Sequence, residues 1–328
     1  MSSQVPSKEG NKPLLLFVDH SVPLINEFAG SRTNYMYLQL LVEMGLEVVF
    51  LPADFQRPDP CSGQLEALGI EILDDQDGPQ NWQSWLDNNE KRLQYAFFNK
   101  PEPTDQFLEV VTRSSRAKII YQCHDLHFLR MERQADLLEN NTARADARRM
   151  KKLEGSIITA SDVVLTFSET EAEMIGREWP ESHVVTVPLF FFDEPVVRKI
   201  PMAERHGLVF VGSCAHQPNH DALKWFITGV LPRVQAELPD IRLDIAGGNP
   251  PQDILNFQSD QVRVLGQLND DELLRAYATT RIMVVPLRFG AGVKGKVVEA
   301  LQHGLPLVST SIGLEGIPDI ESVLSPKD

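Results

Sequence analysis

The segment Pro286–Thr310, PLRFGAGVKGKVVEALQHGLPLVST, leaves this chain few ways to fold. It continues the apolar run Arg281–Leu287, where Ile282, Met283, Val284 and Val285 stand side by side as in a buried strand. A loop with Gly290, Gly292 and Gly295 follows. From about Val293 the apolar positions Val293, Val297, Ala300 and Leu301 recur at helical spacing. Gly304 stops that helix, and Leu305–Thr310 reads as the next strand. A strand, a glycine-rich loop and a helix N-terminus make a site for a phosphate-bearing ligand. Glycines let the backbone come close, unpaired N–H groups face the ligand, and the helix dipole favours negative charge. Lys294 and Lys296 place two cations in the first helical turn, which is unfavourable unless an anion sits there. Glu299 and His303 follow Lys296 at helical spacing, so the three form one polar stripe opposite the apolar face. The plainer alternative is a tight loop with two solvated lysines.

The N-terminal half repeats the α/β pattern. Leu14–Asp19 is a short strand, apolar up to Val18 and ending in Asp19-His20, Ser21–Arg32 is a loop, and a helix from about Thr33 carries Tyr37, Leu40, Leu41 and Met44. Gly45 caps that helix and Leu46–Leu51 is the second strand, completing a βαβ unit whose ligands bind at the carboxyl ends of the strands. The loop ahead of the helix holds only one glycine, Gly30, so a nicotinamide or flavin fingerprint is disfavoured. Gly69–Leu73, Tyr95–Asn99, Ala117–His124, Ser161–Ser168 and His183–Pro188 read as further strands. Trp82–Gln94, Thr104–Ser114 and Glu169–Glu178 read as helices between them. Ala117–His124 delivers His124 and Asp125 to a strand tip, where they can do acid–base work, or cap the strand and the next helix. Residues 130–155 read as one charged helical stretch, mostly a solvated face. After the signal-poor segment 191–204, Gly207–Gly212, Ile241–Gly247 and Val262–Gly266 restore the strand pattern. A helix capped by Asn219 and another from about Asp270, with Leu273, Leu274 and Tyr277 inward, lie between them.

Taken whole, the string Gly290, Ala291, Gly292, Lys294, Lys296, Glu299, Ala300, Gly304, Pro306, Val308 resembles the donor-binding motif of glycosyltransferase family 4 and related enzymes. VDHSVP…AGSRTNYMYLQLLVEMGLEVVFLP, HDLHFLR and FVGSCAHQPNHDALKWF resemble other segments of the same family. The resemblance implies an α/β GT-B fold, with two Rossmann-like domains facing each other across a cleft. Residues 1–190 would be the acceptor side, 191–204 a linker and 205–328 the nucleotide-sugar side. The chain stops after Ser311–Asp328, where relatives continue, so the C-terminal domain is expected to be cut short.

The implied activity is transfer of a sugar from a nucleotide-diphosphate sugar to a glycan or lipid-linked acceptor, in cell-surface polysaccharide biosynthesis. An inactive donor-binding homologue serving as a partner subunit, or a nucleotide-sugar epimerase, are the alternatives. By resemblance, Gly212, Ser213, Arg288, Gly290, Ala291, Gly292, Val293, Lys294, Lys296 and Glu299 bind the donor. Glu299 is implied to be the ribose carboxylate. His124 and Asp125 serve the acceptor side as catalytic candidates, with His127 weaker. Gly30, Ser31 and Arg32 line the cleft near acceptor or phosphate, with Arg32 as a solvated loop residue the alternative. Ser168 and Glu171 close the N-terminal domain. Ala291 stands where most relatives place a glutamate, eight positions before Glu299, which leaves the donor sugar open.

Composition narrows the partners. With 328 residues, 42% hydrophobic and 23% charged, the chain exceeds one core and suits two globular domains. A net charge of −15 argues against nucleic acid. The basic residues Arg144, Arg148, Arg149, Lys151 and Lys152 leave an edge for peripheral membrane contact. Cys61, Cys123 and Cys214 lack metal spacing and read as reduced thiols of a cytoplasmic protein, with the inner membrane face a further location. Residues 1–12 are polar, expected to fray, and unlike a signal peptide. No Asp-x-Asp pair sits convincingly at a strand end, so no metal and no cofactor beyond the nucleotide-sugar co-substrate are expected.

Overall fold

The computed structural model describes residues 12–24, 29–74, 81–192, 196, 200–317 and 320. Residues 1–11, positions 25–28 of the first loop, 193–195 and 197–199 of the expected linker, and 318–319 and 321–328 lie outside them. The N-terminal half runs β1 (Leu14–Asp19), α1 (Ala29–Glu43), β2 (Glu47–Pro52), α2 (Cys61–Ala67), β3 (Glu71–Ile72), α3 (Asn81–Asn89), β4 (Leu93–Asn99), α4 (Pro101–Ser114), β5 (Lys118–Cys123), α5 (His127–Leu137), α6 (Asn141–Ala160), β6 (Val163–Thr166), α7 (Glu169–Glu178) and β7 (Val184–Thr186). The C-terminal half runs β8 (His206–Val211), α8 (Gln217–Trp225), α9 (Leu231–Glu237), β9 (Leu243–Ala246), α10 (Gln252–Leu255), β10 (Val262–Gly266), α11 (Asp270–Thr279), β11 (Thr280–Val285), α12 (Gly295–Gln302), β12 (Leu307–Ser309) and α13 (Ser311–Leu314).

These strands form two parallel sheets, one of seven strands in the order β3-β2-β1-β4-β5-β6-β7 and one of five in the order β10-β9-β8-β11-β12. Parallel sheets need helices on both faces, which is why β1 is buried at all six positions and reads as a continuous apolar run. On one face Phe17 stacks on Phe97 with ring centroids 4.9 Å apart, within a core that includes Leu15, Leu38 and Phe50. On the other, Leu16, Val18, Phe98 and Tyr121 join Phe107 and Ile157 from the helices. Each fully buried Phe or Leu side chain contributes roughly 1.5–3 kcal/mol. The second sheet has its own core around Val209, Phe210, Ile245, Met283 and Val285.

Strand order reverses between β1 and β4 in the first sheet and between β8 and β11 in the second. Ligands of such sheets bind outside the carboxyl ends of the strands at that reversal. The two reversal points both open onto one cleft, which residues such as Gly30, His124, Gly212 and Gly290 line.

Several expected boundaries are corrected. The first helix begins at Ala29, not Thr33, so Gly30, Ser31 and Arg32 form its first turn instead of a loop. The helix expected over Trp82–Gln94 ends at Asn89, because β4 already starts at Leu93. The charged stretch 130–155 is two helices, broken where Glu139 adopts φ 50° and Asn140 caps α6 through Thr142 and Ala143 N–H. The helix expected from Val293 begins at Gly295, with Lys294 at its N-cap position. Asn219 lies inside α8, whose N-cap is His216. Leu274 and Leu301, expected inward, are exposed at 48% and 39%, while Tyr277, Val297 and Ala300 do face the core.

Candidate functional site

The C-terminal wall of the cleft is built on β8, β11 and α12. The cavity between the walls measures about 940 Å³. Lys296, at the second position of α12, reaches back under β8 and donates to Asn219 Oδ1 at 2.7 Å. Its ammonium lies 4.3 Å from the Phe210 ring centroid. This path exists because position 212 is glycine: a Cβ there would meet Lys296 Nζ and Asn219 Nδ2 at 2.7 Å, and φ is +148°. Burial pushes the Lys296 ammonium down to about 7. Ser213, next to Gly212, buries a hydroxyl without a hydrogen-bond partner among the described residues. No side chain caps the N-terminus of α12, and its first residues, Gly295 and Lys296, line the same cleft.

Lys294 differs from Lys296. It is 8% exposed and donates to Gly292 O at 2.6 Å, with Glu315 3.7 Å away. Burial lowers its affinity for the proton, opposed by Glu315 and Glu171. It braces the glycine loop from within. The alternative of two solvated lysines is thereby corrected, since Lys294 is buried and Lys296 is bonded to Asn219. Glu299 accepts from Tyr277 Oη at 2.7 Å and from Arg32 Nη1 at 2.8 Å. Arg288 does not line this cleft. It pairs with Asp221, at 2.9 Å through Nε, and lies over Trp225 in a separate groove, so its expected donor contact is corrected.

The N-terminal wall is built on β1, β4 and the turn from β5 into α5. His124 Nε2 is 3.1 Å from Asn99 Oδ1, and its ring packs edge-on against Phe167. Burial, then the Lys100 cation, push it down to about 4, so the ring is neutral near pH 7. Asp125 is paired with Arg130 at 2.5 Å and lies 3.5 Å from His127 Nε2. Burial would raise it, but Arg130 and the surrounding histidines hold it below the ordinary carboxylate range. His127 also faces Glu102 at 3.4 Å. Burial lowers it, but Glu102 and Asp125 together bring it above its usual value.

Asp125 does not cap the next helix. Leu126 is the N-cap of α5 and offers no side-chain cap. Instead two distant glutamates take the free N–H groups there. Glu154 accepts from His127 N at 3.0 Å and Phe128 N at 2.8 Å, and Glu171 accepts from Leu126 N at 3.1 Å. A helix N-terminus favours such anions. Burial nevertheless pushes both carboxyls up to about 7.

Glu171 also crosses to the other half, accepting from Gly292 N at 2.8 Å. That backbone donor, expected for a phosphate, is therefore engaged by protein. Gly292 has φ +67°, and a Cβ there would meet Asp125 Cβ at 2.8 Å and His124 O at 2.9 Å. Only glycine lets the loop touch the opposite strand tip. Arg133 adds a second crossing, forked onto Glu315 at 2.7 Å and donating to Gly290 O at 2.6 Å. Ala291 and Val293 line the cleft beside these contacts, and Ser31 lines it beside Gly30 and Arg32.

Sequence reasoning missed three groups. Asp19, 2% exposed at the end of β1, accepts from Lys100 Nζ at 2.9 Å and from the Asn34 amide. Glu154 sat within a stretch read as solvated surface. Arg133 lay in the same stretch. Among the described residues, no cluster of three or more His, Cys, Asp or Glu could hold a metal ion. No helix of the described residues is long and apolar enough to cross a membrane.

Residues 205–326 match the family model described as Glycosyl transferases group 1. The fold is similar to a sucrose-phosphate synthase from Thermosynechococcus elongatus, at TM-score 0.67 and 17% identity over 92% of this chain and 82% of that one. It is also similar to the Staphylococcus aureus protein of the MnaA-UDP co-structure, at TM-score 0.54 and 14% identity over 97% and 84%. A third similar structure is Phytolacca americana UGT2 complexed with UDP-2fluoro-glucose and pterostilbene, at TM-score 0.52 and 10% identity over 96% and 83%. By sequence, 168 residues are 29% identical to an uncharacterized 44.6 kDa protein in the cps region of Klebsiella pneumoniae, covering 49% of this chain and 42% of that protein. Two parallel α/β sheets facing one cleft define a GT-B fold, and residues 205–326 of it match the group 1 glycosyltransferase model.

Proposed function

We propose that the protein transfers a sugar from a nucleotide-diphosphate sugar to a glycan or lipid-linked acceptor in cell-surface polysaccharide synthesis. Residues 1–190 form the acceptor side, 191–204 the linker and 205–328 the donor side, as the family 4 resemblance implies. One observation carries the reading: Lys296, the uncapped start of α12 and Glu299 sit together on one wall, directed to the cleft. A cation and helix dipole would bind a diphosphate, and a carboxylate would bind a vicinal diol. Two of the structurally similar proteins carry a uridine diphosphate group in their reported complexes, which is consistent with that chemistry.

In the transfer, the bond from the sugar's anomeric carbon to the diphosphate oxygen breaks and a bond to an acceptor hydroxyl oxygen forms. The negative charge left on the diphosphate would be stabilised by Lys296 and the N–H groups of α12. The acceptor's proton would leave toward Asp125, with neutral His124 orienting the hydroxyl. No metal is assigned to the site, so turnover is expected to persist in excess chelator; complete loss, restored by Mg²⁺ or Mn²⁺, would overturn that.

The test is titration calorimetry with a panel of nucleoside diphosphates. Lys296→Ala is expected to weaken diphosphate binding by roughly tenfold to a hundredfold while sparing the nucleoside. Equal losses for both would count against the role. Because Lys296 loses its proton near pH 7, and a bound anion would hold the proton on, binding should take up a proton above that pH. Affinity then falls as pH rises, relative to Lys296→Arg. Ala291 and the Arg130 clamp on Asp125 favour a second reading, a donor-binding subunit without turnover. It predicts nucleotide-sugar binding with no product on any acceptor.

A further inference from the structure

Glu299 is 8% exposed, and each of its oxygens already accepts a hydrogen bond. The two donors are not equivalent. Tyr277 belongs to the same half, is 2% exposed, packs in the core of the second sheet, and lies tilted against His303 with ring centroids 5.0 Å apart. It cannot leave without unpacking that core. Arg32 comes from the other half, in the first turn of α1, with a side chain 34% exposed. Its second nitrogen lies 3.5 Å from Asp270, a side chain 62% exposed on the rim of the cleft. The guanidinium therefore stands on the cleft side of Glu299, held by one buried carboxylate and one exposed one.

We propose that Arg32 competes with the donor's ribose for Glu299, so that a nucleoside gains its place by displacing this guanidinium across the cleft. The proposal rests on Glu299 being the ribose carboxylate. Tyr277 fixes the rotamer of Glu299, and Arg32 is the partner that gives way. Asp270 is placed to keep hold of Arg32 once Glu299 is taken, so displacement does not strand a charge. The pair is buried on the Glu299 side and partly open on the Arg32 side, and a diol that replaces the guanidinium restores the hydrogen bond that Glu299 gives up. The cost appears as a reduced apparent affinity, because only the fraction of molecules with Glu299 released can bind. Arg32 thereby sets donor affinity without adding to it, and ties donor binding to the start of α1.

The experiment measures binding of uridine, guanosine, adenosine, cytidine and thymidine, and their diphosphates, to the wild type, Arg32→Ala, Arg32→Gln, Glu299→Gln and the Arg32→Ala/Glu299→Gln double variant. Arg32→Ala and Arg32→Gln are expected to bind the accepted nucleoside roughly threefold to tenfold more tightly. Wild-type nucleoside affinity should rise with added KCl, which screens the pair, while that of Arg32→Ala stays flat. In the Glu299→Gln background, removing Arg32 should change nothing. Unchanged or weaker nucleoside binding by both Arg32 variants, with Glu299→Gln losing it, overturns the competition and leaves the donor reading standing. Nucleoside binding that survives Glu299→Gln, or no binding to any of the proteins, overturns the donor reading and the inference together.

Discussion

Two helices of this protein start with the same four-residue grammar, a short polar residue followed three positions later by glutamate. At α11 the pattern closes on itself: Asn269 accepts from Glu272 N and Glu272 reaches back to Asn269 N. At α7 it does not. Ser168 accepts from Glu171 N, but Ser168 N turns to Thr166 Oγ1, and the Glu171 carboxylate leaves for Leu126 and Gly292. A local signature was diverted because a remote helix start and a loop in the other half had unpaired N–H groups and no closer acceptor. The first box stabilises one helix. The second positions the turn that carries His124 and Asp125, and joins the two walls of the cleft.

The comparison can be broken by experiment. The largest effect should come from Glu171→Ala, which leaves the Leu126 and Gly292 N–H groups unpaired. A stability loss of about 3 kcal/mol by denaturant unfolding is expected, with a fall in turnover as the turn and loop loosen. A loss no larger than that of an ordinary surface change would mean that the crossing contributes nothing.

A smaller, pH-dependent effect separates charge from hydrogen bonding. The Glu171 carboxyl is raised in the fold, so its stabilising contribution is fully present below its unfolded value and is lost as pH rises through about 7. Glu171→Gln keeps the acceptor and cannot ionise. Its stability relative to wild type should therefore climb by up to about 3 kcal/mol between pH 4.5 and 8. A flat difference would show that the group does not titrate there. The smallest effect is at the self-contained box, where Glu272→Ala should cost about 0.5–1 kcal/mol and leave nucleotide binding untouched.

The same contrast explains what could be read in advance. The parallel strands were legible because a strand buried on both faces must be apolar throughout, as Leu14–Val18 and Ile282–Val285 are. The placing of Lys296 and Glu299 on one wall of the cleft was legible because both belong to one short helix. Lys294 lines the cleft as expected, but its hold on Gly292 O and its approach to Glu315 were not legible, since Glu315 reaches it only through the fold. Arg288 failed for the same reason: Asp221 lies far from it in sequence. Glu154 and Arg133 sit among charges along the same stretch, and only the packing of α5 on α6 tells buried from solvated. Asp19 followed an apolar strand and looked like a loop residue until Lys100 arrived from β4.

The crowding at Gly292 has a consequence for how such proteins can be recombined. The loop that would grip the donor is shaped on one side by the strand tip that carries His124 and Asp125, within 3 Å of where any larger residue would project. A chimera that joins this first sheet to another protein's second one must therefore bring a loop cut to the contour of His124 and Asp125. Halves chosen for their ligands alone would not shut on each other.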